Sequence, residues 1–449
     1  MRIIRELEAA RAFLQCRLTW DSRETPSALL EALGDVFGDG ATLEGAVDRI
    51  LSDVRARGDA ALFDYSRRID KVEMERLEVG RREVADAYAQ VDEALVAALK
   101  LAAARVRAFH EAQRSNSWVD VSEGAMGQLV RPMERVGIYA PGGTASYPST
   151  VLMTAIPARV AGVGEIVLAT PPRPDGSIPA SVLVSTDLAG VDRVFKIGGA
   201  QAVAALAFGT ESVPRVDKIC GPGNVFVTLA KKKVFGVVGI DGLHGPTETL
   251  IIADETANPA FCAADLLAQA EHDVLASATM ITTSESLAEK VGAELRQQLE
   301  GLERARFASE ALESNGAIIV VGSLEEAVEL SNLYAPEHLC LLVRDPWACI
   351  GRIRNAGGIF VGERSPEALG DYVAGPSHVM PTGSTARFSS PLNVSDFTKV
   401  ISLVALSDEV VNSIGPAAAA IARAEGLTAH ARAVEMRLDS SSDDGDSSA

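Results

Sequence analysis

A chain of 449 residues is long enough for two or more domains with large cores. Its 47% hydrophobic content is ordinary for a soluble globular protein, and no apolar run approaches a membrane span. A formal net charge of -19 argues against general nucleic-acid binding, which needs a basic face.

The start, Met1-Arg2-Ile3-Ile4-Arg5-Glu6, does not read as a signal peptide. The N-terminal third reads as helical. Val47, Ile50, Leu51 and Val54 recur at i, i+3, i+4 and i+7, the spacing of one buried helix face. Gly58 stops that helix, Asp59 caps the next, and a long Ala- and Val-rich helix covers Val91–Phe109. From Val136 short strands alternate with helices. Strands are predicted at Val136–Ala140, Glu165–Thr170 and Arg193–Ile197, and helices at Ser149–Val160, Ile178–Leu188, Ala200–Phe208 and Val225–Val234. A second alternating block has strands at Thr249–Ala253, Ala278–Thr283, Ala317–Val321, Leu339–Val343 and Gly358–Val361, with helices such as Pro259–Asp273 and Leu324–Leu333 between them. Such alternation predicts α/β domains whose parallel sheets are covered on both faces. Val411–Arg437 reads as a short helical piece too small to bury a core alone. The Ser-, Asp- and Gly-rich end, Asp439–Ala449, reads as disordered.

The usual dinucleotide fingerprint Gly-x-Gly-x-x-Gly is absent. Pro141-Gly142-Gly143, Gly198-Gly199 and Gly221-Pro222-Gly223 stand in its place, and the last two precede helices. Free N–H groups at such helix starts suit phosphate. Any one of these turns could simply reverse the chain, but three within one block point to a nucleotide. Lys231, Lys232 and Lys233 read as charges balancing a helix C-terminus. None of the five cysteines (Cys16, Cys220, Cys262, Cys340, Cys349) forms a Cys-x-x-Cys pair, which fits a reducing cytoplasm.

The candidate chemistry lies in the second block. In Tyr334-Ala335-Pro336-Glu337-His338 a carboxylate and an imidazole stand together at the start of a buried strand. Such a pair can handle two different protons in one site, although alone it also reads as a chance pair on a loop. Gln269 and His272 are three apart in a helical stretch and project from one face. With Asp371 and His430 they could make an N/O set for zinc. Gln269 and His272 taken by themselves also read as a capped helix bearing a solvated histidine.

From about Thr42 to Leu438 the chain resembles the histidinol dehydrogenase family. The resemblance rests on Val136-Gly137-Ile138-Tyr139-Ala140-Pro141-Gly142-Gly143, Gly198-Gly199-Ala200-Gln201, Gly221-Pro222-Gly223-Asn224, Gln269-Ala270-Glu271-His272, Tyr334–Leu339, Gly370–Pro376, Thr385–Ser390 and Glu425–His430. It implies two incomplete Rossmann-like α/β domains with small N- and C-terminal helical pieces. The pieces fall at 1–34 (N-terminal helical segment), 35–135 with 249–392 (first α/β domain, zinc and substrate), 136–248 (inserted NAD-binding domain), 393–438 (C-terminal segment exchanged across a homodimer) and the tail 439–449.

The activity implied is oxidation of L-histidinol to L-histidine, with two NAD consumed in succession and histidinal kept bound. His338 would be the base for the alcohol, and Glu337 would activate the water that hydrates the aldehyde. The resemblance places zinc, one per subunit, on Gln269, His272, Asp371 and His430. It places NAD on Tyr139, Gln201 and Asn224. Substrate contacts fall on Thr247, Gln269, His272, His338, Asp371, Glu425 and His430. The partners implied are a small-molecule substrate and a second copy of the chain, with neither membrane nor nucleic acid. Three residues depart from the family pattern: Thr247 where serine is usual, Ser377 where asparagine is common, and His244, read as a harmless loop histidine. They leave open a paralogue acting on another small polar alcohol.

Overall fold

The computed structural model describes residues 1–15, 33–122, 124–142 and 146–438. Cys16, Gly143, the tail 439–449 and half of the N-terminal segment lie outside the described residues. In chain order the strands are β1 (Arg2–Ile4), β2 (Trp118–Asp120), β3 (Ala125–Pro132), β4 (Arg135–Tyr139), β5 (Glu165–Thr170), β6 (Arg193–Lys196), β7 (Lys218–Cys220), β8 (Gly239–Ile240), β9 (Glu248–Ala253), β10 (Ser277–Thr282), β11 (Ala317–Val320), β12 (His338–Leu342), β13 (Gly358–Val361) and β14 (Thr398–Ala405).

Two compact units result: Met1–Gln113 with Met133–Phe397, and Arg114–Pro132 with the chain from Thr398 onward. The first unit holds both parallel sheets. One has five strands in the order β6-β5-β4-β7-β8, the other six in the order β1-β11-β10-β9-β12-β13. Residues alternate between the two faces of each strand, and each face has its own core. On β9, Ile251 and Ala253 join the core under helices Pro259–Ala270, Glu285–Leu299 and Ala305–Asn315. Leu250 and Ile252 join the core under helices Leu7–Gln15 and Leu324–Tyr334. Burial on both faces is why these strands read as continuous apolar runs.

Several boundaries differ from the sequence reading. Arg2–Ile4, inside the segment expected to be helical, is the edge strand of the larger sheet and pairs with β11. The sequence reading groups 35–135 with the six-stranded sheet, but its helices cover the five-stranded one. Helix Leu43–Arg57 buries the predicted Val47, Ile50, Leu51 and Val54 beside Val203 and Leu206 of helix Gly199–Phe208. Helix Glu93–Glu111 sends Leu99 and Val106 into the opposite core with Val151 and Ile156. An apolar helix face does not encode which sheet it will cover. Gly58, at φ 53°, both ends one helix and precedes the next. Asp59 therefore does not cap: its carboxylate accepts from the Thr210 hydroxyl (2.6 Å) and the Ser212 N–H (3.3 Å).

The second unit is a three-stranded antiparallel sheet, β14-β3-β2, and a pair of helices, Asp408–Ala424 and Thr428–Leu438. Its strands leave Arg114–Pro132 outside the domain expected for that segment. No helix among the described residues is long and apolar enough to cross a membrane.

Candidate active site

His338 opens β12, between β9 and β13, and Glu337 stands one residue before it. Ala335, at φ 52° and ψ 64°, turns the chain out of helix Leu324–Tyr334 and delivers the pair to the strand. The register opposes His338 to Thr249, so the pair lies at the amino ends of β9 and β12, beside Thr247 and Glu248. Glu337 Oε2 accepts from the Thr247 hydroxyl (2.6 Å) and the Glu248 N–H (2.9 Å). His338 Nδ1 lies 3.2 Å from the Glu248 carbonyl, and Nε2 lies 3.2 Å from Asp371 Oδ1. The carbonyl and the carboxylate can only accept, so the charged ring donates from both nitrogens and the neutral ring from one of them. The imidazole stacks on Phe360, with ring centroids 5.6 Å apart.

Both groups are buried, and burial sets their electrostatics. It raises the Glu337 carboxyl, against the charge of His338 and the bonds from Thr247 and Glu248. Burial opposes charge on His338, yet Glu337, Asp371 and Glu367 together raise its imidazole above the usual histidine value. Burial also acts against the Asp371 carboxylate. The bond and charge of His338, then the charges of His378 and His272, bring it below the usual range.

The Gln269 amide, near the end of helix Pro259–Ala270, lies between Thr247 and Glu367. In the orientation that satisfies its neighbours, its nitrogen donates to Glu367 (3.2 Å) and its oxygen accepts from the Glu248 N–H (2.9 Å). Glu367, unmarked by any sequence motif, is buried, accepts from the Thr249 hydroxyl (2.7 Å) and is pushed up to about 8 by burial. His272 lies just past the helix rather than on it, with its N–H on the Gln269 carbonyl (3.3 Å). The first unit thus holds an amide, an imidazole and a carboxylate suited in donor type to zinc. Among the described residues no three His, Cys, Asp or Glu side chains form a metal cage. Glu425 and His430 belong to the second unit, where both are exposed around the Gly426 turn.

A separate cleft of about 920 Å³ opens at the carboxyl ends of the five-stranded sheet. Ligands favour this end, at the point where strand order reverses, and β4 has β5 on one side and β7 on the other. Tyr139, Gln201 and Asn224 all line it, with Gly142 and Gly199. Tyr139 ends β4, and its hydroxyl accepts from the Gly199 N–H (3.1 Å). Asn224 caps helix Val225–Val234. Gln201 Nε2 is buried without a hydrogen-bond partner among the described residues, a donor that fits a ligand in the cleft.

One reading is corrected here. Lys231 does not serve a helix dipole: it is buried, bonds the Gly221 carbonyl (2.9 Å) and pairs with Asp241. His244, read as a harmless loop histidine, is in a loop but carries a structural bond at each ring nitrogen: Nδ1 meets the Met380 carbonyl (3.0 Å) and Nε2 meets Asp241 (3.3 Å). Asp241 also accepts from the Gly221 N–H (2.6 Å), so one buried carboxylate holds a turn beside the cleft and the loop leading to Thr247. Ser377 is buried and donates to the Met153 carbonyl (3.0 Å).

A nucleotide-type cleft at the carboxyl ends of one parallel sheet, with a buried acid and base in the same unit, defines an α/β enzyme of the dehydrogenase class. The family model described as histidinol dehydrogenase matches residues 38–438, and the chain belongs to that family. It is 53% identical to histidinol dehydrogenase of Deinococcus radiodurans over 98% of this chain and 100% of that one. Identity to the Dehalococcoides mccartyi (strain CBDB1) histidinol dehydrogenase is 54%, over 89% and 92%. The crystal structure of histidinol dehydrogenase from Elizabethkingia anophelis is similar with a TM-score of 0.87 and 38% identity, over 93% of this chain and 97% of that chain.

Proposed function

We propose that the chain carries out the reaction for which its family is named, the NAD-dependent oxidation of L-histidinol in histidine biosynthesis, taken through bound histidinal to L-histidine. The observation that carries the reading is the buried Glu337–His338 pair, whose members have different partners. His338, in its neutral form with Nδ1–H on the Glu248 carbonyl, would take the alcohol proton on Nε2, and Asp371 would steady the imidazolium that results. Glu337, held by Thr247 and Glu248, takes a proton from the water that hydrates the aldehyde. Thr247 in place of serine keeps the hydroxyl that Glu337 uses.

Tyr139, Gln201 and Asn224 would hold NAD, which supplies the hydride acceptor. Gln269, His272, Asp371 and His430 would hold zinc, one per subunit, which supplies a template for the substrate. Glu425, with Thr247, would contact the substrate. Glu425 and His430 would come from the partner subunit of a homodimer. In keeping with this, the second unit leaves the apolar side chains of Trp118, Val121, Val400, Val404, Ile421 and Met436 exposed. Buried free thiols at Cys220, Cys262, Cys340 and Cys349 are in keeping with a cytoplasmic location. The test is product stoichiometry with purified protein: each histidinol should yield two NADH and one histidine. One NADH with free aldehyde would end the four-electron reading.

A further inference from the structure

Asp70 is a carboxylate that the reaction above does not use. Its neighbours along the same stretch are all engaged: Asp53 accepts from the Tyr65 hydroxyl (2.6 Å), Asp59 from Thr210 (2.6 Å), and Asp64 pairs with Arg67 (3.0 Å). Asp70 Oδ2 is instead sealed from solvent with no hydrogen-bond partner among the described residues. No described residue pairs with it to offset its desolvation, and burial pushes its carboxyl up to about 6.

Its position gives the deficit a direction. Asp70 ends the turn Ser66–Asp70, and Lys71 follows in the left-handed region at φ 59°, unusual for a residue with a side chain. That turn forms a wall of the cleft that also holds Tyr139, Gln201 and Asn224. The same cleft thus contains a buried acceptor, Asp70 Oδ2, and a buried donor, Gln201 Nε2, neither with a partner among the described residues. Leu33, Val36, Phe37 and Ile50 add an apolar lining fit for a flat base. A ligand that fills the cleft should bring hydroxyl donors to Asp70, next to an apolar moiety.

We propose that Asp70 receives the ribose hydroxyls of the adenosine half of the dinucleotide and so sets the preference for NAD over its 2′-phosphorylated form. A carboxylate accepts from the 2′-hydroxyl and repels a phosphate there. The chain lacks the usual glycine fingerprint, whose acidic residue normally plays this part, and Asp70 supplies it from a different element. The inference rests on the dinucleotide reading of the cleft. Arg68, Lys71 and Arg173 line the same cleft and would welcome a 2′-phosphate if Asp70 did not oppose it, so the outcome is open to measurement.

The test is calorimetric binding of NADH and NADPH to the full chain, as wild type, Asp70→Asn and Asp70→Glu, with melting temperature as the check on folding. Wild type should bind NADH at least about tenfold more tightly than NADPH, as expected of a site built around one hydrogen-bonded hydroxyl pair. Asp70→Asn should weaken NADH about tenfold, bring the two affinities together and leave the melting temperature unlowered. Asp70→Glu keeps the charge and should still exclude NADPH. A folded Asp70→Asn variant with wild-type affinities for both nucleotides would overturn the proposal, and so would a folded Asp70→Glu variant that accepts NADPH. Wild type binding neither nucleotide would instead overturn the dinucleotide reading itself.

Discussion

Glu337 and His338 are adjacent in the chain but face different partners, Thr247 for one and Asp371 for the other. Their substitutions should therefore fail differently. His338→Asn should lower histidinol oxidation by about 10²–10⁴-fold, the range for loss of a general base. Glu337→Gln should lower oxidation of supplied histidinal by about as much while sparing the first hydride transfer. Single-turnover NADH formation from alcohol and from aldehyde separates the two, and equal losses in both half-reactions would refute the division of labour. Asp70 makes a prediction about stability. Its carboxyl is pushed up to about 6, from an unfolded value of 3.8. The folded state therefore holds that proton more tightly, and stability falls as pH rises through this window. Asp70→Asn removes the effect. The variant should gain on wild type by about 1–2 °C in melting temperature between pH 5 and pH 7.5 without nucleotide. A constant difference across that range would show that Asp70 is not the titrating group.

At the scale of elements, the Gly221 turn shows how a cleft is held open beside a sheet. Gly221 has φ 112°, and a Cβ there would stand 2.1 Å from the Tyr139 carbonyl. Only glycine lets β7 leave the sheet so close to the end of β4. Asp241 and Lys231 clamp the turn from beneath. Burial alone would raise the Asp241 carboxyl, but Lys231 and His244 hold it well below the carboxylate range. This stability is present above the unfolded carboxylate value and is lost as pH falls below it. Lys231→Met leaves the carboxylate buried without its cation and should cost about 3–5 kcal/mol in denaturant unfolding. Its acid sensitivity should also be shallower than wild type, because Asp241 is less depressed with His244 alone beside it. Unchanged stability in Lys231→Met would mean that the turn does not depend on the pair.

The whole molecule enters through the proposed metal set, of which the first unit supplies Gln269, His272 and Asp371. A chelator should abolish activity, zinc should restore it, and active protein free of divalent metal would exclude the set. If His430 of the partner subunit completes the site, two inactive variants can rescue each other. In a mixed dimer of His272→Ala and His430→Ala, one site collects both lesions and the other is intact. Random exchange makes half of the dimers mixed, so recovery should approach about one quarter of wild-type activity by symmetry. No recovery despite verified mixed dimers would place His430 in its own subunit's site.

Within this chain, local pattern was enough to expose the α/β alternation, the Leu339–Val343 strand, the helix face of Val47, Ile50, Leu51 and Val54, and the glycine turns. Those features depend on residue spacing along a few turns or strand pairs, and spacing is written in the sequence. The motif residues Tyr139, Gln201 and Asn224 were legible as a set, and the fold lines one cleft with them. Hidden from view were β7 and β8, too short for periodicity, and the pairing of β14 with β3, which joins residues far apart in the chain. Partnership was hidden for the same reason. Lys231 reads as a surface charge until Asp241 is folded against it, and Glu367 carries no motif until Gln269 and Thr249 are placed beside it. Burial and pairing are properties of three-dimensional neighbours, so only the tertiary structure could decide which charges are paired, which carboxyls burial raises, and which sheet each helix covers.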